Sequence, residues 1–96
     1  MAAYGPAIDR IVYLLTGGGR VASPATISGG ESAIYSYSLA IVTRLSNGTY
    51  AVKRHADNSA TTNRHIRAAH SAMKEIGFFA ICEDRSNTIY HARTLV

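Results

Sequence analysis

Ten Lys and Arg stand against six Asp and Glu in the 96 residues, a formal net charge of +4. The cations gather in two places. Lys53, Arg54 and His55 close an apolar stretch, and Arg64, Arg67 and Lys74 recur through the segment 58–77. Cations collected on one surface attract phosphates or acidic protein groups, and that attraction weakens as salt rises. Lys53, Arg54, Arg64, Arg67 and Lys74 are therefore the candidate partner-binding residues, with Arg20 and Arg44 as neighbours. Tyr35, Tyr37 and Tyr50 would add stacking surfaces for bases if they face outward. A plainer reading competes with this one. Basic residues opposite an apolar stripe are simply its solvated face, tyrosines in a strand pack against a helix, and Glu75 interrupts the basic row.

Other chemistry finds less support. A helical metal site wants histidines about one turn apart. His65 and His70 are five apart, about 140° around the wheel, so the two cannot chelate together from one straight helix. His70 borders the apolar side and is expected as a partly buried, hydrogen-bonded ring. A nucleophile needs an oriented base beside it, and the chain has neither a Gly-x-Ser-x-Gly elbow nor acids clustered with a histidine. Glu31, Glu75, Glu83 and Asp84 read as surface charges. The glycines of Thr16-Gly17-Gly18-Gly19-Arg20 follow a helix instead of opening one, unlike a phosphate-cradling loop. The expectation is a non-enzymatic protein with no metal and no cofactor. A single cysteine, Cys82, excludes a disulfide within the chain and a cysteine zinc site. Its setting in the run FFAIC predicts a buried, inert thiol.

The elements that must position the cations follow from periodicity. In the segment 58–77, Thr62, Ile66, Ala69, Met73 and Ile76 recur at steps of four and three, one stripe of a helix over 61–76. Arg64, Arg67, Ser71 and Lys74 fall opposite that stripe. Thr61 or Thr62 can cap the start, and Gly77 suits the residue that ends it. Pro6 and the spacing of Ile8, Ile11, Val12 and Leu15 predict a first helix over 6–16. Residues 17–30, rich in glycine, read as a flexible loop that Val21 and Ile27 tack to the core. From Ala33 the period is two: Tyr35, Tyr37, Leu39 and Ile41 alternate with Ser36, Ser38, Ala40 and Val42, as in a half-buried strand. Asn47-Gly48 predicts a tight hairpin turn into a return strand over 49–55, with Tyr50 and Val52 on one face. A second hairpin pairs 78–83 with 88–95 around a turn at 84–87. The expected fold is one small α+β domain in the order αββαββ, a four-stranded antiparallel sheet packed on the 61–76 helix. With no apolar run near ~18–20 residues and no signal-peptide pattern in MAAYGPAIDR, the expected location is cytoplasmic.

The segment Tyr35–His65, YSYSLAIVTRLSNGTYAVKRHADNSATTNRH, resembles a family of small accessory proteins of tailed phages. The likeness lies in a Tyr/Ser-rich strand, an apolar strand, a glycine-containing turn, a return strand, and a Ser-x-Thr-Thr-x-Arg-His start to a helix. Here that signature is Ser59, Thr61, Thr62, Arg64 and His65. It covers about a third of the chain and carries over no catalytic or ligand residue. The three hydroxyls would cap the helix, and Arg64 and His65 would decorate its first turn. What the resemblance implies is a phage-type protein in a bacterial host, and such proteins often bind and block a host machine. The leading expectation is an anti-CRISPR-like inhibitor that docks on a host defence complex, for instance a CRISPR effector, through the basic helix face. The alternatives are a direct DNA- or RNA-binding module and a virion assembly protein that self-associates, as a homodimer, through an edge strand.

Overall fold

The computed structural model describes residues 5–17, 26–45, 48–54, 60–84 and 86–92. Expectations resting on Arg20, Val21, Asn47, His55, Ser59 and Leu95 lie outside them. The elements run α1 (Gly5–Thr16), β1 (Ile27–Gly29), β2 (Ala33–Ser36), β3 (Leu39–Arg44), β4 (Thr49–Lys53), α2 (Ala60–Glu75), β5 (Phe78–Glu83) and β6 (Asn87–Ala92). The class is α+β as expected, but the order is αββββαββ. Among the described residues the sheet has six antiparallel strands in the order β1-β2-β3-β4-β6-β5.

Both helices form where the periodicity placed them. In α1, Ala7, Ile11 and Leu15 are buried, with Ile8 and Val12 partly so. Gly17 ends it at φ 71°, its N–H donating to the Tyr13 carbonyl. In α2 the buried set is wider than one stripe: Thr62, His65, Ile66, Ala68, Ala69, Ala72 and Met73. The reason is that α2 packs against α1 on one side and against β3, β4 and β5 on another. Three alanines keep the backbone close to its neighbours at little cost in side-chain entropy. His65 is thus a buried residue, 7% exposed, and not an ornament of the first turn. Gly77 ends α2 at φ 93°, a conformation cheap only for glycine.

The extra strands come from two turns. Ile27–Gly29, expected within the loop, pairs with β2 in the register Ile27↔Ser36 to Gly29↔Ile34, and Ile27 is fully buried. The single strand expected from Ala33 is a hairpin, because Tyr37 and Ser38 form a two-residue turn that sets Ser36 opposite Leu39. A two-residue turn brings residues three apart to one face, so the alternation changes phase there. In β3 the expected alternation is broken by a bulge, which leaves Ile41 and Val42 both buried, while β2 turns Ile34 and Ser36 inward and leaves Tyr35 exposed. Tyr37 sits in the turn at φ 58°. That conformation costs a non-glycine residue about 1–2 kcal/mol. The Tyr37 N–H donates to the Thr26 carbonyl, and its ring stacks over His65.

The β3–β4 and β5–β6 hairpins appear as expected. Leu45 N–H donates to the Thr49 carbonyl to close the first, with Gly48 at φ 73°. Asp84 shapes the second, its Oδ1 accepting from the Ser86 and Asn87 N–H groups at 2.8 and 2.7 Å. Register fixes the faces: Ile34, Val42, Val52 and Thr88 share one row, and Tyr50 and Tyr90 the next. This face meets the helices, and its buried members join Ile11, Ile66 and Met73 in one core. The row of Thr43, Ala51, Ile89 and Cys82 faces away. Cys82 is exposed, contrary to the buried thiol expected, because β5 is the terminal strand among the described residues and nearly all of it is solvated. Among the described residues, no helix is long and apolar enough to cross a membrane.

Candidate partner-binding cleft

A helix repeats its face at steps of three, four and seven, and in α2 this places Arg67, His70, Ser71 and Lys74 along one side. That side overhangs β5 and β6. The space between is an open cleft of about 820 Å³, with Ala80 and Ile81 on its strand wall. Tyr90 and Thr88 point into it from β6, and Arg54 reaches it from just beyond β4. Among the described residues, three cations therefore face one carboxylate, Glu83.

Arg54 and the His70–Tyr90 pair are held by contacts that their elements dictate. Arg54 is anchored to the β5–β6 turn: its N–H donates to the Ser86 carbonyl at 2.9 Å, and its Nη1 donates to the Asp84 carbonyl at 2.7 Å. Its Nε lies 3.7 Å from Glu83 Oε1, with both side chains well exposed. An ion pair so solvated contributes at most about 1 kcal/mol. The backbone anchors, not the pair, fix where Arg54 points. On the cleft floor, His70 Nδ1 and Tyr90 Oη lie 2.7 Å apart. Burial, and to a smaller degree Glu83, push the Tyr90 hydroxyl above its ordinary range. The phenol therefore stays protonated, and its 2.7 Å contact ties β6 to α2 at the cleft floor.

Of the five predicted cations, Arg54, Arg67 and Lys74 converge on this cleft. Lys53 does not. It alternates with Val52 along β4, so it faces away from the helices, half-buried opposite Asn87. Arg64 is exposed one turn before Arg67 and extends the row along α2 without lining the cleft. Tyr50 is buried against Phe78, edge to face, while Tyr35 and Tyr37 are exposed at 38% and 58%. The sequence reading missed Tyr90 and Thr88. Their signal was the alternation of the last strand, which puts Tyr90 on the face of Tyr50.

A second polar cluster lies sealed under α2. Ser36 Oγ is 2.7 Å from His65 Nδ1 and 3.4 Å from Thr62 Oγ1. Ser36 is only 1% exposed and so closed to a substrate. Burial first, and the Arg64 charge second, hold the His65 ring below its ordinary pKa. Among the described residues, no three His, Cys, Asp or Glu side chains gather in a group able to hold a metal ion. Comparison of the chain with protein-family models, curated proteins and solved structures gives no match in any of the three.

Proposed function

We propose that this protein is a non-enzymatic docking protein, which acts by seating an acidic surface of a larger complex in the cleft between α2 and β5–β6. The observation that carries this reading is the convergence of Arg54, Arg67 and Lys74, separated by up to twenty residues of sequence, on one open cleft. Long cations held at the rim of an open cleft steer an anionic partner and set its register. In the phage setting implied by the resemblance of Tyr35–His65, the partner is a host defence complex such as a CRISPR effector, and docking blocks the complex. The test is inhibition of DNA binding by a purified effector, with wild type compared to Arg67→Glu/Lys74→Glu. Loss of inhibition in a folded variant supports the reading, and undiminished inhibition overturns it.

Direct binding to a nucleic acid is the second reading, favoured by Arg64. From Arg64 to Lys74 the cationic row runs ten residues, about 15 Å of helix, enough to meet several phosphates of one strand. Here binding to labelled single- and double-stranded DNA should fall steeply with salt and depend on Arg64 as much as on Arg67.

A further inference from the structure

The cleft is bounded on one side by a helix and on the other by the last strand of the sheet. We propose that the groove between α2 and β5 takes an extended, acidic segment of a partner protein, added to the free edge of β5 as a seventh strand. This rests on the cleft being the docking site and names what enters it.

Four observations lead there. First, β5 has one strand neighbour, β6, among the described residues, so a row of its N–H and C=O groups points away from the sheet. Second, β5 has no Lys and no Pro, and its one charge, Glu83, lies at its end. Phe79 and Ile81 stand 41% and 49% exposed beside the open edge. Third, a bulge sets Ile81 between the paired residues Ala80 and Cys82, and both Ala80 and Ile81 line the groove. The wall is thus apolar over Ala80 and Ile81, with Cys82 and Glu83 continuing it beyond the bulge, while Phe78–Ala80 remains regular for backbone pairing. Fourth, the opposite wall carries Arg67 and Lys74, and Arg54 closes one end. A strand laid along β5 would turn alternate side chains toward those cations. Charge complementarity therefore selects carboxylates at these positions and apolar residues over Ala80 and Ile81. A nucleic acid would use the same cations but could not pair with the β5 backbone.

The probe is a short fluorescent peptide of alternating Glu and Val, titrated into the whole isotope-labelled protein. Three controls accompany it: a Lys-Val peptide, the Glu-Val peptide N-methylated at alternate residues, and oligo-dT. The proposal expects saturable binding of the Glu-Val peptide and new exchange protection at β5 amides. It expects affinity reduced at least about tenfold, some 1.4 kcal/mol, by N-methylation. Lys74→Glu, a change at an exposed position in the last turn of α2, should weaken binding similarly while the protein keeps its folded circular-dichroism spectrum and cooperative unfolding. Equal binding of the N-methylated peptide would overturn strand addition and leave the docking cleft standing. Binding of oligo-dT without the peptide would overturn the acidic segment in favour of nucleic acid. Protection of β5 amides before any peptide is added, with a dimer mass in sedimentation, would show that a second copy occupies the edge and would also overturn it.

Discussion

Replacing Ser36 with alanine removes one hydroxyl from the sealed cluster under α2, and the consequence can be worked from the structure. His65 Nδ1 has Ser36 Oγ as its partner at 2.7 Å, in a ring only 7% exposed. In S36A that nitrogen keeps its burial and loses this bond, at a cost of about 1–3 kcal/mol. Domains of this size lose about 4–8 °C of midpoint per kcal/mol. A central loss of about 2 kcal/mol then lowers Tm by roughly 8–16 °C. Thermal and urea unfolding followed by circular dichroism measure it, with an unchanged urea slope as the sign that stability alone has moved. His65→Leu provides the second leg of a cycle. Once the imidazole is gone, the serine hydroxyl has lost its 2.7 Å partner and keeps only Thr62 Oγ1 at 3.4 Å, and replacing both polar partners is far less costly than removing one. The alanine change in the H65L background should therefore cost at least about 1 kcal/mol less than in wild type. A Tm shift in S36A of under about 2 °C, or an equal loss in both backgrounds, would refute the assignment of this bond as a stabilising contact.

Three further outcomes follow from other groups. Because burial depresses His65 in the folded state, the unfolded chain binds its proton more readily. Wild-type stability should then fall as pH drops below about 6.5, and H65L should lose that component. Asp84 is likewise depressed, by the N–H groups of Asn87 and Ser86. Its contribution is present above the usual carboxylate range and lost as pH falls through it, so D84A should flatten the acid limb of an unfolding curve measured against pH. A methyl group at Gly29 would meet the Ala33 carbonyl oxygen at 2.1 Å, in a residue at φ 117°. G29A should cost more than the about 1–3 kcal/mol of an isolated strained residue, and β1 should lose amide exchange protection before the rest of the sheet.

How far the fold could be read in advance depended on which signal each element carried. The stripe of Ile66, Ala69 and Met73 located α2, and Gly77 located its end, because helix period and capping are local properties. The β5–β6 hairpin was legible for the same reason. The β2–β3 turn was not, since Tyr37 and Ser38 lack the Asn or Gly that usually marks a positive φ, and alternation reads smoothly across them. The environment of β5 was equally hidden: FFAIC looks like a core strand, and only the strand order, which places β6 between it and β4, makes it an edge. The cleft was half legible. Arg67 and Lys74 came from the wheel, but their meeting with Arg54 and Tyr90 depends on where the helix crosses the sheet. Lys53 was misplaced by one step of strand alternation.

The central claim is that a place, and not a net charge, makes the contact. Its most direct test compares two variants with equal loss of positive charge, Arg67→Glu/Lys74→Glu inside the cleft and Lys53→Glu/Arg64→Glu outside it. Each is immobilised beside wild type and exposed to host extract, and the captured complex is quantified by mass spectrometry. The account predicts that the cleft variant loses the complex that wild type retains, while the other variant keeps it. Equal loss in both would show that charge alone attracts the partner, and retention by the cleft variant would contradict the assignment of the site.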